Sequence, residues 1–334
     1  MKVGLIDVDG HNFPNLPLMK LSAWHKAHGD SVEWYNPLFS GHMDVVYMSK
    51  VFSFSPDYEY FVNADKIIKR GTGYAIELVN GREVYDKTKD VNLPDEIEHI
   101  FPDYSIYAEQ TKDTAFGFLT RGCPRGCSFC HVKPKEGNSH KVADLNEFWN
   151  GQKKIELLDP NILACRDWEE LLQQLIDSKA TVNFNQGLDI RVMTEKKAQM
   201  LAQIKVEGLH FAWDRYEDKD IIIPKFEMFR KLSKVNNHNL HVYVLTGDKE
   251  KKIRDEDLFR IYWLRDNGYA PYVTIYDKDN LPKHHELRKL QRYVNNRFVF
   301  WACASFEDYQ KKGEKQDGFK GFERRISADS AGIN

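Results

Sequence analysis

The sequence predicts an α/β protein, an N-terminal Rossmann-like domain followed by a partial (β/α)6 barrel of the TIM type. Three observations carry that prediction. Strand and helix signals alternate from the first residues, six further apolar strand segments recur with helix-length stretches between them, and 334 residues with 42% hydrophobic content suffice to bury the cores of two domains.

Lys2 to Val8 reads as an apolar strand, Pro17 to His28 carries helical periodicity, and Ser31 to Tyr35 and Asp44 to Ser49 are strand-like again. Such β-α-β alternation gives a parallel sheet covered by helices. The turn Asp9-Gly10-His11-Asn12 then falls at the carboxyl edge of the sheet, where open α/β sheets bind ligands. Between Arg70 and Tyr107 come several glycines, a Gly81-Arg82 turn, and Leu93-Pro94-Asp95 opening a short helix, the signature of a connecting segment. The first domain is therefore expected over residues 1–110.

From Thr114 the alternation resumes. Strands are expected at Ala115 to Leu119, Lys154 to Leu158, Ala180 to Asn185, Leu209 to Trp213, Leu240 to Leu245 and Tyr272 to Tyr276. Helices are expected at Asp167 to Ser178, Thr194 to Ile204, Ile223 to Val235 and Asp255 to Asn267. Six units over 111–305 are too few for an eight-stranded closed barrel, so the barrel should be partial. Residues 306–334 turn polar, and a loosely held tail is expected there.

Charge and hydropathy exclude some classes of function. The 48 basic residues nearly cancel the 50 acidic ones, so the global charge gives no support to a nucleic-acid or membrane-surface partner. The longest apolar runs, such as Phe298 to Ala304, fall far short of the roughly 18 to 20 residues that cross a bilayer. Asp7 ends the first apolar run before it could serve as the core of a signal peptide, which makes the cytoplasm the expected location. Five cysteines are too few for a disulfide scaffold, and three of them lie within eight residues, a spacing that points to metal chemistry.

That segment reads Gly122-Cys123-Pro124-Arg125-Gly126-Cys127-Ser128-Phe129-Cys130, directly after the first strand of the second domain. Loops that follow strands gather at one face of a β/α barrel, so three thiolates there would sit above its mouth. Glycine gives such a loop unusual backbone angles and proline stiffens it. A cubane iron-sulfur cluster normally takes four cysteines, so three would leave one iron open. Zinc is the competing use, with His131 or His140 as a fourth ligand; unrelated reduced thiols are the other.

The motif, its place after a strand and the six β/α units resemble the radical S-adenosylmethionine (radical SAM) enzymes, whose cluster motif is C-x-x-x-C-x-aromatic-C. Cys123, Cys127, Phe129 and Cys130 match it, and the resemblance covers about residues 114 to 305. The resemblance implies that Cys123, Cys127 and Cys130 hold a 4Fe-4S cluster. It further implies that the open iron chelates S-adenosylmethionine, and that reduction, by a donor such as a flavodoxin or ferredoxin, cleaves it to a 5'-deoxyadenosyl radical that abstracts hydrogen. Phe129 would lie beside the cofactor. Asp159 is the candidate for the methionine ammonium, with Asn161 beside it. Gln186 and Arg191 are candidates for the ribose or the carboxylate, and Asp214 for a ribose hydroxyl.

The first domain is similar in layout to that of radical SAM members that bind cobalamin through D-x-H-x-x-G. Asp9-Gly10-His11 supplies the first half of that motif, and Pro14 stands where glycine is expected. A cobalamin-dependent methylase is accordingly the alternative enzyme, and a metal-stapled interaction protein is the alternative outside enzymes. Cys165 and Cys303 are single and build no second cluster. From Lys283 to Arg325 there are 11 basic and 6 acidic residues with Tyr293, Phe298, Trp301 and Tyr309 among them; a phosphate-bearing partner such as a nucleic acid would suit them, and a solvated helix face plus a final apolar strand is the favoured account. The substrate is not legible in the residues, because barrel-face loops vary while the cofactor core persists.

Overall fold

A computed structural model describes residues 1–79 and 82–310. Gly81 of the expected turn, and residues 311–334, with most of the expected polar tail and the last part of the basic stretch to Arg325, lie outside the described residues. By internal contacts the chain divides into one unit of residues 1–209 with 232–234 and another of 210–231 with 235–334.

The strands are β1 (Lys2–Asp7), β2 (Ser31–Trp34), β3 (Met43–Ser49), β4 (Ala64–Arg70), β5 (Ile76–Val79), β6 (Arg82–Tyr85), β7 (Thr114–Gly117), β8 (Thr120–Arg121), β9 (His140–Lys141), β10 (Lys154–Leu157), β11 (Thr181–Leu188), β12 (Lys205–Ala212), β13 (Leu240–Thr246) and β14 (Ala270–Ile275). They form an α/β fold with a four-stranded sheet in the order β2-β1-β3-β4 and a six-stranded sheet in the order β14-β13-β12-β11-β10-β7.

The four-stranded sheet is parallel throughout, with Val3 opposite both Val32 and Val45. Both faces of β1 are covered, which is why Val3 to Asp7 is one buried run rather than an alternating one. Val3, Leu5 and Val45 pack with Leu18 and Leu21 of the helix Leu16–Ala27, while Ile6, Val46 and Met48 pack on Tyr35 and Met43. That helix starts where the sequence allows it. The side chain of Asn15 accepts from the Leu18 amide at 3.3 Å, and Pro17 sits in the first turn, where its missing N–H costs nothing. Asn15 also donates to Ser49 Oγ at 2.9 Å, tying the helix start to the end of β3.

Within the first unit β7, β10 and β11 pair in parallel, Ile155 lying opposite Ala115 on one side and Val182 on the other. Within the second unit β13 and β14 pair in parallel. The second unit's core is aromatic: Phe211, Trp213, Phe226, Phe229 and Tyr269 are all buried. Arg260, on the helix Asp255–Asp266, is also fully buried. It donates to the carbonyls of Trp213, Asp214 and Leu245 at 2.6–3.0 Å and to Asp257 Oδ1 at 2.6 Å, so the charge is paired and every donor arm is used. This guanidinium ties the carboxyl ends of β12 and β13 together.

Several elements depart from expectation. β4 is an added edge strand whose sequence, Ala-Asp-Lys-Ile-Ile-Lys-Arg, is too polar to signal a strand; edge strands carry charge because nothing covers them. β5 and β6 form an antiparallel hairpin within the expected connecting segment. β11 runs past the expected end at Asn185 to Leu188, so Gln186 lies within the strand. Arg297–Ala302 is a helix capped by Asn296 on the Val299 amide, in place of the expected final apolar strand.

Candidate functional site

Past β7 the chain makes the short strand β8, leaves through Gly122 into the three-cysteine loop, and returns as β9, which pairs antiparallel with β8. The loop therefore rises from a two-stranded stem. Gly122 has φ +82, and a Cβ there would meet the Asn138 carbonyl oxygen at 2.3 Å, so the exit from the stem is open only to glycine. Glu136 braces the same corner, accepting from the Gly122 amide at 2.9 Å and pairing with Arg121 at 3.1 Å. The Cys123 amide donates to the Gly137 carbonyl at 3.0 Å, and the Cys130 amide to the Cys127 carbonyl at 3.1 Å.

Cys123, Cys127 and Cys130 are all partly exposed, whereas Cys165 and Cys303 are buried. Burial pushes the Cys165 thiol up, the behaviour of a packed and inert cysteine. The chemistry of the loop, three accessible soft donors on a stiff stem, fits an iron-sulfur cluster. A cubane takes each thiolate at a different corner iron, so the sulfurs need not converge on a point as zinc ligands must. Among the described residues, no three His, Cys, Asp or Glu side chains lie close enough to hold a single ion. The two histidines weighed as zinc ligands have other partners, His131 pairing with Glu83 at 3.2 Å and His140 with the Asn138 carbonyl at 2.8 Å.

Asp159, just past β10, is almost wholly buried. Its carboxylate accepts from the Leu119 amide at 2.9 Å, from the Thr120 amide at 2.5 Å and from the Thr120 hydroxyl. Both oxygens are thus engaged beneath the stem. Desolvation pushes its pKa up to about 7 against the pull of these donors. Asn161 is buried as well; its Nδ2 lies 3.4 Å from Cys123 Sγ, and Ser139 Oγ donates to its main-chain carbonyl at 2.9 Å.

Of the other candidates, Phe129 is 36% exposed on the loop and Gln186 is exposed on β11. Arg191 donates from Nε to Asp189 Oδ1 at 2.8 Å. Asp214 belongs to the second unit, where its Oδ1 accepts from the Leu245 amide at 3.2 Å. Sequence reasoning missed Asp189. Its other oxygen accepts from Arg125 Nε of the cysteine loop at 2.6 Å, so this one buried carboxylate links the loop to the end of β11. Burial works to raise its pKa, but the hydrogen bonds from Arg191 and Arg125 prevail and hold it below the ordinary carboxylate range. The pattern Asp-x-Arg after a strand, with a spare arginine between two cysteines, was the available signal.

At the carboxyl edge of the four-stranded sheet an open cleft of about 390 Å³ is lined by His11, Trp34, Tyr107 and Gln110, among others. The His11 ring meets Trp34 edge-on at 4.2 Å, and burial lowers its pKa. Asp9 does not orient that imidazole by any bond described; its carboxylate accepts from the Val51 and Phe52 amides at 2.5 and 3.2 Å and from Ser55 Oγ at 2.6 Å.

No described helix is long and apolar enough to cross a membrane. No protein-family model matches the chain, and no curated protein matches it. Solved structures do. The chain is similar to the radical S-adenosylmethionine methyltransferase TsrM from Kitasatospora setae with cobalamin and a 4Fe-4S cluster bound, at TM-score 0.53 and 11% identity, over 82% of this chain and 74% of that one. It is similar to the same enzyme with tryptophan substrate and the SAM analogue aza-SAM bound, at TM-score 0.54 and 11% identity, over 82% and 72%. In fold the chain is similar to this methyltransferase.

Proposed function

We propose that the chain is a radical SAM enzyme, with a Rossmann-like domain over 1–110, a partial barrel over 111–305 and a tail over 306–334, in which Cys123, Cys127 and Cys130 hold a 4Fe-4S cluster. The observation that carries the reading is the cysteine loop itself: three accessible thiols on a stem whose exit only glycine can make, in a chain with the fold of a radical SAM methyltransferase. When bound, a three-cysteine cubane supplies an electron and an open iron for reductive cleavage of S-adenosylmethionine.

The protein's own residues hold that loop still. Asp159 and Glu136 fix the stem, and the Arg125–Asp189–Arg191 chain fixes the loop against β11. Arg191, partly exposed and already oriented by Asp189, is suited to bind a carboxylate such as that of methionine. Phe129, Asn161 and Gln186 are the remaining proposed contacts to the cofactor, and Asp159, with both oxygens engaged, acts on it through the stem. A low-potential donor such as a flavodoxin or ferredoxin would supply the electron.

The test is anaerobic reconstitution with iron and sulfide, reduction with S-adenosylmethionine present, and assay for 5'-deoxyadenosine. The wild-type protein should form it and Cys127→Ala should not; equal product from both would refute the ligand assignment. A second reading, a cobalamin-dependent methylase, is favoured by the parallel four-stranded sheet with His11 lining a cleft at its carboxyl edge. Because Asp9 is committed to residues 51–55, the residues present do not reproduce an Asp-oriented histidine ligand. Retention of cobalt after reconstitution with cobalamin separates the two readings.

A further inference from the structure

Asn161 precedes the short turn Ile162–Ala164, a position where an asparagine oxygen ordinarily accepts a backbone amide of the turn. Here it makes no such cap. The residue is 2% exposed, its Oδ1 is buried with no donor among the described residues, and its Nδ2 is directed to the Cys123 sulfur at 3.4 Å. The opposite setting of the amide would press an oxygen lone pair against the sulfur, so the donor is the end that belongs there. An ordinary capping interaction has been given up, and what replaces it is a single N–H directed at a cysteine of the loop.

We propose that Asn161 is a positioning residue that sets the reduction potential of the cluster through this hydrogen bond; the inference rests on the cysteines holding an iron-sulfur cluster. Electron uptake increases the negative charge on the ligating sulfurs, so an N–H aimed at one of them stabilises the reduced state more than the oxidised state. Asn161 itself is buried, so little water competes for its N–H. The donor therefore raises the potential, making the cluster easier to reduce by a cellular donor.

The experiment is a redox titration of the reconstituted protein, followed by electron paramagnetic resonance, for the wild type, Asn161→Leu and Asn161→Asp. Leucine removes the donor at similar volume. Aspartate keeps the shape while replacing the donor with an acceptor. Both should shift the reduction equilibrium about tenfold toward the oxidised cluster, about 59 mV lower for a one-electron couple, with aspartate shifted at least as far. Unchanged potentials in cluster-loaded variants would overturn this inference and leave the reading of the cysteines intact. Folded variants that lose the cluster would overturn it too, in favour of a structural role. A wild-type protein that takes up no cluster would instead take down the cysteine reading, and the inference with it.

Discussion

Asp159→Asn should destabilise the protein, and by an amount that depends on pH. In the folded chain the carboxylate accepts from two backbone amides and a hydroxyl while almost wholly buried. An asparagine keeps one accepting oxygen and turns an NH2 toward a remaining donor, leaving a buried N–H unpaired; at pH 5, where the folded carboxyl group is protonated, that loss costs about 1–3 kcal/mol. The carboxyl group titrates near 7 in the fold and near roughly 4 in an unfolded chain. Between those values the folded state keeps a proton that the unfolded state releases, so this group's contribution to stability is greatest at low pH and is lost as pH rises toward 7. From pH 5 to pH 8 the loss amounts to about 2–3 kcal/mol. Urea denaturation of both proteins at several pH values gives the difference directly. It should shrink by that amount as pH rises. A difference that stayed constant would show that the group titrates ordinarily. One that grew with pH would show that the three donors outweigh burial.

Gly122→Ala should be poorly tolerated, since its Cβ would lie 2.3 Å from the Asn138 carbonyl at φ +82; we expect a cost of about 1–3 kcal/mol in thermal unfolding, and iron uptake reduced with it. Arg260→Met should cost about 3 kcal/mol in urea, because it strips the carbonyls of Trp213, Asp214 and Leu245 of a donor; Asp257 keeps its pairing with Arg254 at 2.9 Å, so Asp257→Leu added to it should recover nothing.

Where one physical signal dominated, the sequence was legible. β1 and β3 announced themselves because a sheet covered on both faces needs unbroken apolar runs, and the helix Leu16–Ala27 because Pro17 to His28 carries helical periodicity. β4 escaped because an uncovered edge asks little of its residues. β11 was drawn too short because Gln186 and Gly187 lack the side chains that signal a strand, and the strand continues to Leu188. Phe298 to Ala304 misled by composition alone, since an apolar run of that length fits a helix turn as well as a strand. At the site, three clustered cysteines could be read directly, because their spacing carries the chemistry. What binds them to the rest could not: Asp159 meets Leu119 and Thr120 across about forty residues, and Asp189 meets Arg125 across about sixty, pairings that only the folded chain creates.

The central claim is that three cysteines hold a cluster with one iron left for S-adenosylmethionine. Mössbauer spectroscopy of the 57Fe-reconstituted protein, recorded with and without S-adenosylmethionine, tests it most directly. The account predicts four irons per chain, one of which changes its isomer shift when the cofactor is added. Four irons that ignore the cofactor, or a protein that binds zinc and no iron, would contradict it.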